Sequence, residues 1–254
     1  MKNTFVVILS VCIGFLHASA QKKDKDKENT TPATQQTSSV AEPEDAIYRK
    51  AVKYGDYEVA KSAMYSLMQK HPENKAYLDT LVRLYFSLGA YPQCILSGTD
   101  FLQGADTANT DIMELVAISQ ASLNRNKESL DIWEKLWKKS GNSRYAYQVA
   151  VNQYLLKRYG ECAQTADIIL KDPAADKETV SISSEQGKSQ KVAMKAAAHN
   201  LIGVIQKELN LPDKAKESFE AALKLTPDFE LAKNNLAQIN AKDTPKAEVQ
   251  PKKK

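Results

Sequence analysis

The sequence predicts an all-α protein built from repeated helix pairs, and three observations carry that expectation. A turn signature recurs: Tyr54-Gly55-Asp56-Tyr57 is followed 34 residues on by Leu88-Gly89-Ala90-Tyr91, and a third turn, Arg158-Tyr159-Gly160, keeps its tyrosine 68 residues after Tyr91. After each turn comes a small residue that lets two helices approach closely: Ala60, Cys94, Ser129, Cys162 and Ala215, the first four spaced by 34, 35 and 33 residues. Finally, the stretch from Ala196 to Asn240 reads helix, tight turn, helix, proline, helix, with Ala215, Phe219 and Ala222 at i, i+4 and i+7 and Pro227 ending the second helix. The spacing predicts at least five helix pairs.

The chain opens on Met1-Lys2, an apolar run from Phe5 to Leu16 and the small residues Ala18-Ser19-Ala20, the pattern of a secretory signal peptide cleaved after Ala20. A helix of twelve apolar residues reaches only about 18 Å, against a hydrocarbon core of roughly 30 Å, so a membrane span is the poorer reading. Cys12 follows Val11 rather than a small residue, which argues against a lipid anchor. Residues 21–44 alternate charges and then run through Thr, Gln, Ser and Pro with one Val, too little apolar surface to offset the entropy of ordering, and read as a disordered linker. The tail, residues 242–254, is a basic segment of the same kind with a solubilising role.

The predicted folded body covers 45–241. Its first helices run approximately over Pro43–Tyr54, Asn74–Leu88, Ala108–Asn124 and Asn142–Lys157, with Leu81, Tyr85, Ala117 and Ala150 on the buried stripe. The second helices bury Met64 and Leu67, Ile95 and Phe101, Trp133 and Leu136, and Ala166 and Ile169. From Cys162 to Ala215 is 53 residues, which leaves about nineteen extra between Lys171 and Ala196. There Thr179–Ser183 and Ser189–Met194 both alternate, with Val180, Ile182, Val192 and Met194 on one side, around Ser184-Glu185-Gln186-Gly187. This predicts a β-hairpin insert at about 178–194 that runs directly into the first helix of the last pair. An isolated hairpin is only marginally stable, so this one must lean on the helices or on a partner. A last helix over Asp228–Ile239 places Leu236 and Ala237 where Ile202 and Gly203 stood and turns Lys233, Asn234, Gln238 and Asn240 outward, as a solvating cap does.

On these residues the chain resembles the tetratricopeptide repeat (TPR) family over roughly Asp45–Asn240, most closely at Ile202-Gly203, Ala215, Phe219, Ala222 and Pro227. It departs from the family pattern at Val82, where Gly is preferred, at Gly98, where Phe is, and at Gly141, where Pro is. The motif is degenerate, and packing depends on size and period more than on identity. The resemblance implies a right-handed TPR α-solenoid of about five helix pairs plus a C-terminal capping helix, whose first helices line a concave groove for a peptide or helix. Resemblance to peptide-binding TPR proteins places Arg49, Asp79, Arg83, Phe86, Glu114, Tyr147, Tyr154 and Asn200 on that side. Aromatic and Arg side chains are the usual energetic anchors of interfaces; the competing reading is that Tyr147 and Phe86 merely cover neighbouring helices. The two-carboxylate clamp of chaperone-tail-binding TPR domains is not expected, since only Arg83 and Asn200 fit it and they stand three repeats apart.

The register also bears on the cysteines that remain after cleavage. Cys94 and Cys162 hold the same slot two repeats apart, a separation of roughly 20 Å for helices packed at 8 to 10 Å. A bridge needs Cα atoms within about 7 Å, so two buried, unbridged thiols are predicted. The formal charge of +4 falls to about +2 over residues 46–241 once both flanking segments are set aside, and no basic patch remains to support nucleic-acid binding.

No catalytic set stands out. His17 leaves with the signal, His71 precedes Pro72, and His199 lies in the last pair; Cys-x-x-Cys, His-Glu-x-x-His and a phosphate-cradling glycine loop are all missing from the sequence. Asp24, Asp26 and Glu28 lack the glycine of a calcium loop. No cofactor, metal or nucleic acid is expected, and no stable membrane insertion once the signal is removed. The expected function is that of a non-catalytic scaffold or adaptor of the bacterial cell envelope, held in the periplasm and binding a protein or peptide partner in the concave groove. The alternatives are an accessory periplasmic protein that binds oligosaccharide or peptidoglycan fragments, and a hydrolase or redox enzyme acting through Cys94 or Cys162.

Overall fold

The structure, a computed structural model, describes residues 42–103, 109–183 and 189–243. The signal peptide, most of the linker, the hairpin's turn and most of the basic tail expected from sequence lie outside the described residues. These form two compact units, residues 42–103 and 109–243.

Residues 42–103 hold two helix pairs: α1 (Pro43–Tyr54) with α2 (Tyr57–Lys70), and α3 (Lys75–Ser87) with α4 (Tyr91–Phe101). The sequence starts and stops each helix by local means. Pro43 sits in the first turn of α1, where its missing N–H is not needed, and Glu44 and Asp45 complement the positive end of the helix dipole. α1 spans the predicted Pro43–Tyr54 and so overlaps the last two residues of the predicted linker. Glu44, assigned from sequence to the linker, is a helical residue that accepts from Ser66 Oγ at 3.2 Å and pairs with Lys70 at 2.6 Å. Asp56 caps α2 and Asn74 caps α3, each side chain accepting a backbone N–H of its first turn.

Residues 109–243 hold α5 (Thr110–Ser122) with α6 (Asn126–Ser140), α7 (Ser143–Leu155) with α8 (Tyr159–Lys171), and α9 (Met194–Glu208) with α10 (Pro212–Leu225), followed by α11 (Glu230–Asp243). Asn109 and Asn142 cap α5 and α7 as Asn74 caps α3. The small residues of the register, Ala60, Cys94, Ser129, Cys162 and Ala215, are all 0% exposed, so each sits where its helix meets its partner.

All five turns within pairs are built alike. Gly55, Gly89, Asn124, Lys157 and Asn210 take positive φ, from 58° to 75°. In each, this residue's N–H bonds three residues back and the next N–H five residues back, as from Asp56 to Ala51 O and from Leu211 to Gln206 O. This is the Schellman closure of a helix end. The fourth turn is therefore centred on Lys157. Gly160, which the sequence pattern suggested as the turn glycine, lies inside α8.

Between α8 and α9 a short 3₁₀ turn (Ala174–Asp176) leads into β1 (Thr179–Ser183) and β2 (Ser189–Ala193), antiparallel with Val180 opposite Val192 and Ile182 opposite Gln190. Met194, expected at the end of the second strand, instead opens α9. The hairpin leans on the helices of its own unit: Val180, Ile182 and Val192 are buried in one cluster with Tyr147, Met194 and Phe229. Burying one such aliphatic side chain is worth about 1.5–3 kcal/mol, enough in sum to hold a two-stranded hairpin.

Candidate functional site

Counted from the small residue of each second helix, the residues proposed from sequence occupy three slots of the first helices. Asp79, Glu114, Tyr147 and Asn200 stand fifteen residues before it, Arg49 and Arg83 eleven before, and Phe86 and Tyr154 eight before. The structure treats these slots differently in the two units.

In residues 42–103 they are accessible. Arg49 is exposed on α1, and Arg83, Asp79 and Phe86 are half-buried on α3. Arg83 donates to both carboxylate oxygens of Asp79, at 2.9 and 3.1 Å. This fork fixes the guanidinium while leaving 40% of the side chain exposed. Phe86 meets Tyr91 edge to face, ring centroids 6.2 Å apart. The sequence reading missed Val52, which holds the slot of Phe86 one repeat earlier and is 36% exposed. The 34-residue spacing between the two was the signal that could have found it.

In residues 109–243 the same slots are closed at Tyr147 and Asn200 and half-buried at Glu114 and Tyr154, and two assignments need correction. Tyr147 is 1% exposed, inside the cluster that includes the hairpin's Val180, Ile182 and Val192, so it is a core residue and not a docking contact. Burial pushes its hydroxyl well above the ordinary tyrosine range. Asn200 is 3% exposed and accepts from Asn235 Nδ2 of α11 at 3.1 Å, so the helix that follows the last pair covers it. Glu114 is half-buried and accepts from Tyr145 Oη. Tyr154 is half-buried, its ring 5.8 Å from that of Tyr159, and burial raises its pKa to about 12.

The alternative chemistry fails at Cys162. Its thiol is 0% exposed and donates to Ala150 O at 3.0 Å, and burial raises its pKa to about 12, so it stays protonated at neutral pH. Cys94 is equally buried, and neither cysteine is in a disulfide. Burial lowers the pKa of His199, which leaves the ring neutral near pH 7. Among the described residues no group of three or more His, Cys, Asp or Glu is placed to hold a metal ion, and no helix is long and apolar enough to cross a membrane.

No protein-family model and no curated protein matches the sequence. Solved structures do match. A tetratricopeptide repeat protein from Parabacteroides merdae, 19% identical, aligns over 79% of this chain and 72% of its own with a TM-score of 0.62. The fold is the TPR fold. YrrB, described as a TPR protein with an unusual peptide-binding site, is 14% identical and aligns over 76% of this chain and 90% of its own, with a TM-score of 0.57. MamA, 15% identical, aligns over 77% and 92% with a TM-score of 0.56. At such identities the likeness speaks for the fold alone.

The TPR register accounts for two of the departures noted in the sequence, Val82 and Gly98. In the last repeat Gly203 makes room for Phe219, whose ring would lie 2.6 Å from a methyl group at Gly203. In the second repeat the same two slots hold Val82 and Gly98, both buried, so the bulk has moved from the second helix to the first. Five TPR helix pairs and a closing helix are what the sequence led one to expect.

Proposed function

We propose that this protein is a non-catalytic TPR scaffold of the bacterial cell envelope that docks a partner protein or peptide on the first-helix slots of residues 42–103. The observation that carries this reading is the accessible set Arg49, Val52, Arg83 and Phe86, two cations and two apolar side chains repeated at one period on consecutive first helices. A fixed Arg fork beside an aromatic edge offers charge-assisted hydrogen bonds and apolar area together, the combination that anchors protein interfaces. The peptide-binding site named for YrrB supports a peptide or protein as the kind of partner. The export reading rests on the apolar run Phe5–Leu16 followed by Ala18-Ser19-Ala20, a signal-peptide pattern that supports a mature protein starting at Gln21 in the periplasm.

Crosslinking in cells followed by mass spectrometry tests the docking surface. Arg49→Glu and Phe86→Ala, each checked for an unchanged circular dichroism spectrum, should lose most of the crosslinked partner. The same partner at the same yield from both would move the interface off this face. Location is read independently, from the N-terminal mass of the protein in periplasmic extract.

A further inference from the structure

We propose that the hairpin is a latch for α11, and that α11 is a lid over Asn200. The lid makes contacts of its own along its length. Of the side chains described on α11, Ala232, Asn235 and Ile239 are fully buried, Leu231 and Leu236 pack half-buried against the same clusters, and Gln238 accepts from Lys207 Nζ at 2.8 Å. A helix of 14 residues is marginal in water without packing, so its first turn depends on what holds it there.

The remaining hold comes from 30 to 40 residues away in sequence. Gln190 of β2 donates through Nε2 to Asp228 O at 2.7 Å, and its Oε1 accepts the N–H of Glu230 at 3.1 Å. The second bond satisfies one of the orphan amides at the first turn of α11, so a strand side chain does the work of an N-cap. Ala193 donates its backbone N–H to Thr226 Oγ1 at 3.2 Å, fixing β2 to the residue that ends α10. In the ladder, Val180–Val192 and Glu178–Met194 face inward, so Ala193 N–H points to the outer edge of the hairpin, which Thr226 closes. Phe229, in the α10–α11 turn, is 0% exposed in the cluster that holds Val180, Ile182 and Val192. Insert and lid thus meet through both polar and apolar contacts, all of them at the root of α11. With the root released, α11 pivots on the α10–α11 turn and uncovers Asn200 and the Ala215 and Phe219 edge that Ile239 covers.

Hydrogen–deuterium exchange of the full chain tests the latch. In Gln190→Ala, amides of α11 should exchange about ten-fold faster, the effect of losing two hydrogen bonds of roughly 0.7 kcal/mol each, while α5 to α8 keep their protection. Thr226→Val, which keeps the shape and removes the acceptor, should give a smaller increase in the same segment. Lys195→Met breaks the 2.6 Å pair with Asp176 at the other end of the insert and should leave α11 unchanged. Unchanged α11 exchange in Gln190→Ala, acceleration spread evenly over α5 to α11, or an equal response to Lys195→Met would each overturn the proposal.

Discussion

Residues 42–103 and residues 109–243 share one register and fill it differently. The slot fifteen residues before each small residue holds Asp79, half exposed, in the first unit, and the buried Tyr147 and Asn200 in the second. The turn slot holds Gly55 and Gly89 in the first unit, and Asn124, Lys157 and Asn210 in the second. The repeat period therefore decides which way a side chain points, whereas what covers it depends on the elements that lie against it. Here those are the hairpin, which the period does not contain, and the closing helix α11, both in the second unit.

The largest expected effect tests the close packing of the second unit. Phe219→Ala should cost about 3–5 kcal/mol by urea unfolding, the range for emptying a fully buried aromatic site. Val82→Ala, at the slot that carries the bulk in the first unit, should cost nearer 2 kcal/mol for two lost carbons. Gly203→Ala should destabilise by about 1–3 kcal/mol, although Ala is the better helix former, because the Phe219 ring has nowhere to move. If Gly203→Ala stabilises, the two slots are not the packed pair that the comparison requires.

Turn chemistry separates the units by a smaller amount. Lys157 at φ 60° occupies a conformation that costs a side-chain-bearing residue about 1 kcal/mol, so Lys157→Gly should raise stability by up to that amount. Gly89→Ala should lower it by a similar amount. Equal and opposite shifts in melting temperature are the expected reading.

A polar slot within the second unit sharpens the comparison further. Gln153 accepts from Thr165, and Gln206 from Ser218, each donor twelve residues on. Gln120 has Ile132 at that distance, and its buried Oε1 has no partner among the described residues. Gln120→Leu should therefore gain about 1 kcal/mol, whereas Gln153→Leu, which strands the Thr165 hydroxyl, should lose about as much. Differential scanning calorimetry of the two variants distinguishes them.

The smallest effect is electrostatic and belongs to the first unit. The hydrogen bond to His71, then that from Lys70, holds Glu42 below the usual glutamate value of 4.5, and Lys70 holds Glu44 below it too. A carboxylate lowered on folding contributes stability above its unfolded pKa and loses it as pH falls through the lower folded value. Acidification from about pH 5 to pH 3 should therefore loosen the junction of α1 and α2, seen as faster exchange of their amides. Lys70→Met should remove the larger part of the Glu44 contribution and leave the Glu42–His71 contribution in place.

Much of the fold was legible because it is periodic. Helix boundaries, the five small residues and the second-helix core residues Met64, Leu67, Trp133 and Ile169 follow from a 34-residue recurrence and a 3.6-residue stripe, and the hairpin follows from alternation between two helical patterns. Gly160 misled because Schellman closure needs positive φ rather than glycine as such, and Asn or Lys can adopt it at modest cost. The candidate site was half legible. Arg49, Asp79, Arg83 and Phe86 are where the register puts them, while Tyr147 and Asn200 are taken out of reach by contacts from residues far away in sequence.

By itself, then, the sequence determined the helix pairs, their register, the hairpin and the two buried thiols, since each depends on spacing within a window of one repeat or on one slot recurring between repeats. Tertiary structure alone decided which of the repeated slots stay open. Gln190 capping α11 and the hairpin burying Tyr147 join residues 33 to 45 positions apart with no period linking them, Asn235 covers Asn200 from the closing helix, and burial is set by whichever surface arrives to exclude water.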